Sequence, residues 1–248
     1  MRQAKTPTPI QAQAPRQARE VMTHEEKRER ILKVAERLFA KQGYANTTME
    51  QIVDALGVTK PYVYYYFRSK LEIFETLSWT PTVACFSTMD FPPDDHRPAH
   101  VKVVEGLEKL IRATLAHYPS AFFPYREPQV YRPEYMAAQK QLANHFYDQL
   151  CPLLEQARDE GMLEFRETKI TALAACSLAG FLYNWYRPNG RLPPEEIVKE
   201  LTEAACRVIG LRARRKAPAR AMSAQSTKAT TTSARKPRPR KTEKADKA

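Results

Sequence analysis

Residues 43–70 read GYANTTMEQIVDALGVTKPYVYYYFRSK, and they predict two short helices joined by a tight turn and followed at once by a third. Gly57 stands where the first helix stops, at a position that often needs a left-handed backbone. Thr48 with Gln51 predicts a capping box at the first helix, and Thr59 is predicted to cap the second. This layout is typical of a helix-turn-helix, which places its second helix in the DNA major groove.

The sequence predicts two more helix starts, one before this stretch and one at its end. Thr23 with Glu26 predicts another capping box, and the helix it opens is expected to run to Gly43. Ser69 with Glu72 marks the start of a fourth helix, which is expected to run toward Cys85. A three-helix helix-turn-helix domain is therefore predicted over residues 23–78.

The remainder of the chain also carries helical spacing, because its aliphatic residues recur at three and four residues and no long alternating pattern competes. A break rich in proline and aspartate is expected at 91–98, and an irregular aromatic stretch at 118–133. Seven glycines also disfavour a barrel or sandwich with many turns. The fold class is predicted to be all-α. Further helices are predicted over 99–117, 134–160, 168–186 and 194–211.

The net charge of +12 is concentrated at the ends of the chain. Residues 212–248 hold thirteen basic and two acidic residues, and residues 1–22 hold four basic residues and one acidic residue. The body between them is therefore close to neutral. Both ends lack apolar periodicity, which predicts a flexible basic arm over 1–22 and a disordered basic tail over 212–248. The tail is expected to follow DNA phosphates, although a solvated appendage is the plainer alternative.

Composition excludes several other functions. The four cysteines lie far apart without paired spacing, which favours free thiols acting as small buried hydrophobes over a metal site. His96 and His100 flank Pro98, so they do not share a helical face. Phosphate-cradling glycine loops and nucleophile elbows are also missing from the sequence, so neither an enzyme nor a cofactor is expected. A cytoplasmic protein without a membrane partner is predicted.

The segment from Gly57 to Lys70, GVTKPYVYYYFRSK, resembles the signature of the TetR family of bacterial transcriptional repressors. Leu38-Phe39, Gly43-Tyr44, Thr47-Thr48 and Ile52 fit the same pattern, so the resemblance covers about residues 23–78. It implies an all-helical homodimer. The N-terminal domain would bind an operator in double-stranded DNA, and a larger domain over 79–211 would bind an effector and dimerise.

By this resemblance, the helix from Thr59 to Tyr65 would enter the major groove. Lysine can donate to guanine or phosphate, and apolar ring surface can meet a thymine methyl. Val63, Tyr66 and Phe67 are instead assigned to packing. Glu50 and Gln51 stand where the family often has an Arg-Asp pair, which leaves the operator open. The expected DNA contacts are Thr47, Thr48, Thr59, Lys60, Pro61, Tyr62, Tyr64, Tyr65 and Lys70.

A second segment, YNWYRPNGRLPPEEI at 183–197, resembles a TetR subgroup whose members respond to CoA thioesters. In that subgroup the flanking helices make much of the dimer interface, which would involve Leu173, Leu178, Phe181, Leu182, Leu201, Val208 and Ile209. The aromatic density around 118–147 suggests a large apolar cavity, and a packed helical core is the alternative. The expected effector contacts are Phe122, Phe123, Tyr125, Tyr131, His145, Phe146, Trp185 and Arg187.

The sequence thus favours a DNA-binding transcriptional repressor that a small hydrophobic effector, an acyl-CoA among the candidates, releases from its operator. An architectural or nucleoid-type protein that binds DNA mainly through the basic tail is the alternative. Excess random competitor DNA separates the two, because only a regulator keeps its operator under competition.

Overall fold

The computed structural model describes residues 22–212, and every regular element in that range is helical. The all-α prediction is therefore confirmed for this part of the chain. The predicted arm over 1–22 and the predicted tail over 212–248 lie outside the described residues, except for Met22 and Arg212. The α-helices are α1 (His24–Gln42), α2 (Met49–Leu56), α3 (Lys60–Tyr66), α4 (Lys70–Phe86), α5 (Ala99–Ala116), α6 (Phe123–Arg126), α7 (Pro133–Asp159), α8 (Thr168–Gly180), α9 (Leu182–Trp185) and α10 (Pro194–Val208).

The helix starts follow local chemistry. Thr23 and Thr48 each form the predicted capping box with a residue three positions on, and the Ser69 hydroxyl accepts from the Glu72 amide. Such caps each stabilise a helix by ~1 kcal/mol. Gly57 adopts the left-handed conformation at φ 66°, which turns the chain from α2 into α3. Thr59 is the exception, because its side chain makes no capping bond to α3.

Helices α1 to α4 close around one apolar cluster, to which α1 contributes Ile31 and Phe39, α2 Ile52, and α3 Val63. All four side chains are at most 3% exposed. The hydrophobic burial of this cluster holds α3 in place and decides which of its faces remains outside.

The described residues form two parts, a smaller one around the α1–α4 cluster and a larger one that follows it in the chain, and helix α4 belongs to both. Ile73 and Phe74, near its start, lie in the α1–α4 cluster, while Cys85 and Phe86, at its end, pack against the core of the larger part. Pro81 lies inside the helix between these two regions. The two parts therefore share one continuous helix.

The stretch at 118–133, predicted to be irregular, contains α6 and two short 3₁₀ helices, Ser120–Phe122 and Pro128–Val130. Its side chains divide between the two parts. Phe123 and Tyr131 join the α1–α4 cluster, whereas Phe122 lies in the core of the larger part. These short helices were not predicted from the sequence, because each has too few residues to show the spacing of apolar residues that marks a helix.

The larger part is built around α5, which packs against α4, α7, α8 and α10. Val103 and Leu107 of α5 meet Leu150 and Leu154 of α7 in its core, and each is at most 1% exposed. One predicted boundary is wrong, because the helix expected over 168–186 is divided at Phe181 into α8 and α9. The division leaves Phe181 60% exposed and Leu182 fully buried.

Candidate DNA-binding surface and effector cavity

Helix α3 has a buried side and an open side. Val63, and Phe67 directly after the end of α3, are at most 1% exposed and pack in the α1–α4 cluster. Tyr64 is 40% and Tyr65 75% exposed, and Lys60 and Pro61 are exposed as well. The residue types that can read DNA thus lie on the side of α3 that the described part of the protein leaves uncovered.

Lys60 is held by an acidic partner. Its Nζ lies 2.7 Å from Glu50 Oε1 of α2 and 5.7 Å from the centre of the Tyr64 ring. The hydrogen bond lowers the pKa of the Glu50 carboxyl and raises the pKa of Lys60, so both groups are charged at neutral pH. Glu50 therefore directs the ammonium group and also places a negative charge beside it.

The tyrosines of α3 support one another. The ring centroids of Tyr62 and Tyr66 lie 5.4 Å apart, and those of Tyr65 and Tyr66 lie 5.0 Å apart. His24, at the start of α1, contacts both Tyr65 and Tyr66. Aromatic pairs at these distances each contribute about 0.5–1.5 kcal/mol, so they favour the observed placement of the exposed Tyr65 ring.

Two of the expected DNA contacts, Thr47 and Lys70, hydrogen-bond the protein's own backbone. Thr47 is fully buried, and its hydroxyl donates to the Gly43 carbonyl at 2.8 Å. Lys70 donates to the carbonyls of Tyr44 and Thr47 at 2.7 and 2.6 Å, and partial burial lowers its pKa. Both side chains close the loop between α1 and α2 because its backbone carbonyls need partners. Thr48, Thr59, Pro61 and the half-buried Tyr62 stay at the surface.

A cavity of about 430 Å³ lies in the larger part, between α4, α5, the α6 region, α7 and α8. This volume falls in the ~300–1,000 Å³ range of small-molecule pockets. Its wall is mainly apolar and aromatic, with Phe86, Phe146 and the stacked pair Tyr125 and Tyr183. The rings of that pair lie 5.4 Å apart at an angle of 7°.

Two of the four cysteines, Cys85 and Cys176, line this cavity. Burial raises the pKa of the Cys85 thiol and raises the pKa of Cys176 to about 12, so both are neutral at physiological pH. Burial also raises the pKa of the Tyr147 phenol in the same wall. The interior of the cavity therefore disfavours charge.

The expected effector contacts lie in different parts of the molecule. Tyr125 and Phe146 line the cavity. Phe122, Phe123 and Tyr131 are buried in the apolar clusters, His145 hydrogen-bonds Asp90 at the surface, and Trp185 and Arg187 are exposed outside the wall. Sequence reasoning missed the cysteines and several polar groups, because only the helix packing brings them together. The missed wall residues include Thr82, Cys85, Thr114, Tyr147, Cys176 and Tyr183.

An apolar strip runs along α8, α9 and the end of α10. Its exposed members are Ile170 (67%), Leu173 (47%), Phe181 (60%), Trp185 (46%) and Val208 (39%). Such a strip commonly marks a protein–protein contact. Leu182 and Ile209, expected in the dimer interface, are instead fully buried within the protomer.

Within residues 22–212, His, Cys, Asp and Glu form no group able to hold a metal ion. None of the described helices is long and apolar enough to cross a membrane.

A helix-turn-helix with an open tyrosine-rich helix, joined through α4 to a helical domain with a cavity, is the architecture of a DNA-binding transcriptional regulator. Two family models match the chain. "Bacterial regulatory proteins, tetR family" covers residues 31–77, and "Tetracyclin repressor-like, C-terminal domain" covers residues 96–209. Together they match more than half of the chain, and the protein belongs to the TetR family of transcriptional regulators.

Similar proteins agree with this assignment. YerO of Bacillus subtilis, an uncharacterised HTH-type transcriptional regulator, is 49% identical over 45 residues, which are 18% of this chain and 16% of that relative. The ketosteroid transcriptional regulator KstR2 of Mycobacterium tuberculosis shares the fold with a TM-score of 0.65 at 19% identity, over 79% of this chain and 100% of its own. AibR in complex with isovaleryl coenzyme A and operator DNA gives 0.61 at 18% identity, over 75% and 100%.

Proposed function

We propose that this TetR-family regulator is a repressor that binds its operator through α3 and is released by a small hydrophobic effector bound in the cavity. The observation that carries this proposal is the shared helix α4. Ile73 and Phe74 anchor one end of α4 among the helices that support α3, while Thr82 and Cys85 at the other end form cavity wall. An occupant of the cavity therefore touches the same helix that positions the DNA reader.

A second connection runs through α6. Phe123 packs against Phe74 with ring centroids 5.0 Å apart, inside the α1–α4 cluster. The next two residues, Pro124 and Tyr125, line the cavity. Consecutive residues of one short helix thus face the DNA-binding part and the cavity. Displacement of Tyr125 by an effector would move Phe123 as well.

Release requires that the effector bind one conformation better than the other. The proposed repressor is a homodimer that uses the apolar strip of α8, α9 and α10. In a two-fold dimer the two α3 helices would meet half-sites about one helical turn, ~34 Å, apart. The effector-bound dimer would hold its readers at a spacing that no longer matches the operator.

An acyl-CoA is the competing candidate effector, and comparison of isovaleryl-CoA with uncharged probes tests it. Support comes from the 183–197 segment and from the similar structure of AibR, whose complex contains isovaleryl coenzyme A. The cavity volume of about 430 Å³ suits an acyl group, and the CoA phosphates would have to lie outside the wall.

Sequencing DNA fragments that co-purify with the full chain tests operator binding and supplies the operator. Lys60→Ala and Tyr65→Ala are each expected to reduce affinity for the recovered fragment about tenfold or more, because both side chains lie on the open face of α3. Lys140→Ala removes an exposed lysine from α7 as a matched control. Equal affinities for all three variants would contradict the proposal.

The nucleoid-type alternative predicts a different result under competition. A repressor retains its recovered fragment in excess random DNA, whereas an architectural protein loses it. The family assignment favours the first outcome.

A further inference from the structure

The wall of the cavity is uncharged. Of the described residues, the twenty that line it include no aspartate, glutamate, lysine, arginine or histidine. Its polar groups are hydroxyls, two thiols and the amide of Gln139. An anionic ligand would therefore enter without a cation to compensate its lost hydration, which is costly for any buried charge.

Two hydroxyls of the wall, those of Thr82 and Thr114, cannot donate to an anion. Thr82 donates to the Ser78 carbonyl and Thr114 to the Leu110 carbonyl, each at 2.8 Å. Their protons are committed to the backbone, so these oxygens offer only lone pairs to a ligand. Lone pairs accept from a neutral hydroxyl or amide but repel a carboxylate or phosphate.

The aromatic surface indicates the shape of the ligand. Phe86 and Phe146 form an edge-to-face pair with centroids 5.8 Å apart, and the stacked Tyr125 and Tyr183 form another part of the wall. Phe181, 60% exposed, also lines the cavity. Flat ring faces and apolar edges suit a ring-containing or branched skeleton that buries most of its surface here.

We propose that the effector is an uncharged, predominantly apolar molecule with a neutral hydroxyl or carbonyl group, and that the cavity discriminates against carboxylates and CoA esters. This inference rests on the proposed function and names the chemical class of its effector. Neutral groups on such a molecule can pair with the Tyr147 phenol or the Gln139 amide. A carboxylate could accept from the same groups, but its charge would remain without a cation in the wall.

Matched pairs of probes test this on the full chain. Isothermal titration calorimetry at neutral pH would compare naphthalenemethanol with naphthoate, decanol with decanoate, and isovaleryl-CoA alone. Each alcohol is expected to bind on the order of tenfold or more tightly than its carboxylate, and the CoA ester more weakly than either alcohol. Equal or tighter binding of a carboxylate or of the CoA ester would overturn the proposal, as would the failure of both alcohols to bind.

A substitution in the wall makes the test specific to this cavity. Gln139→Lys puts a cation at the edge of the wall and is expected to strengthen carboxylate binding about tenfold. Gln141→Lys makes the same change two residues along α7, at an exposed position outside the wall, and is expected to leave the alcohol-to-carboxylate ratio unchanged. An equal effect of both variants would place the binding elsewhere and reject the cavity.

The same probes added to the protein–operator complex separate this inference from the proposed function. Binding of the alcohols without release of DNA would reject effector-driven release and leave the ligand class intact. Release by a carboxylate that binds as tightly as its alcohol would support effector-driven release and reject the ligand class.

Discussion

Lys60 supplies the positive charge of α3, yet it is engaged by Glu50 before any DNA arrives. The bond is 2.7 Å long and both groups are exposed, so water and salt weaken it. Glu50 thus acts in two ways. It orients the ammonium group, and its carboxylate repels phosphates that approach the same surface.

At this scale we predict that Glu50→Gln strengthens DNA binding while weakening discrimination between operator and random DNA. Freeing Lys60 and removing the carboxylate should raise affinity for random duplex by about 3- to 10-fold at low salt. Fluorescence anisotropy over a salt series measures this, and the slope of log K against log salt should steepen by about 1.

Asp54→Asn is the matched control, because it removes an exposed negative charge one turn further along α2. It should raise affinity less than Glu50→Gln, since it does not release Lys60. Equal effects of the two variants would show that net charge alone matters and that the ion pair has no separate role.

Among the contacts between helices, Arg132 holds the start of α7 against α4. Arg132 donates to the Glu75 carboxylate from its backbone amide at 3.1 Å and from its guanidinium group. Glu75 is only 5% exposed, so Arg132 replaces the hydration that its carboxylate loses on burial. Tyr131 beside it hydrogen-bonds Ser78 of α4 at 2.7 Å. These contacts tie the start of α7 to α4.

We predict that Arg132→Gln lowers the urea midpoint of unfolding, because it leaves a buried carboxylate with its backbone partner alone. The double variant Glu75→Gln with Arg132→Gln should recover most of the loss, since the amides can pair without a buried charge. Equilibrium denaturation followed by circular dichroism measures both. A double variant no more stable than Arg132→Gln would count against this account.

The helices also show which structural features can be predicted from the sequence alone. Caps at Thr23, Thr48 and Ser69 were predictable, because each depends on residues three positions away. The hydrogen bonds of Lys70 were not, since they reach the carbonyls of Tyr44 and Thr47, which α4 approaches only once the helices have packed. Cavity walls are likewise set by packing between helices distant in the chain. Aromatic density thus indicated the cavity's region but selected only Tyr125 and Phe146 among its lining residues.

At the scale of the whole molecule, the apolar strip along α8, α9 and α10 predicts assembly. Burying its large exposed side chains against a second copy would stabilise a dimer by ~25 cal/mol for each Å² of apolar surface removed from water. Ile170 and Trp185 belong to this strip without lining the cavity. They therefore test assembly separately from effector binding.

We predict that Ile170→Glu shifts the protein from dimer to monomer and weakens operator binding with it. Sedimentation velocity measures the first effect and a gel shift the second. Tyr65→Glu is the control with the same charge change at another exposed hydrophobic side chain. It should lose DNA binding and remain a dimer. A dimeric Ile170→Glu protein would assign the contact to another surface.

The basic tail is predicted to contribute to the salt dependence of DNA binding. Truncation after Arg212 removes residues 213–248 and keeps the Arg212 ion pair with Glu164. The salt dependence of DNA binding should become flatter, because fewer counterions are released, while preference for the operator is retained. Anisotropy titrations of both proteins measure the slope, and an unchanged value would remove the tail from DNA binding.

Pro81 has a mechanical consequence for the protein as a whole. Proline has no amide hydrogen, so the carbonyl one turn earlier in α4, that of Leu77, loses its helical partner. The helix is therefore easiest to bend between the end that supports α3 and the end that forms cavity wall. With ~1.5 Å of rise per residue, a tilt of about 5° at Pro81 displaces the Lys70 end by roughly 1.5 Å. A small shift at the cavity wall would thereby produce a larger displacement at the surface proposed to bind DNA.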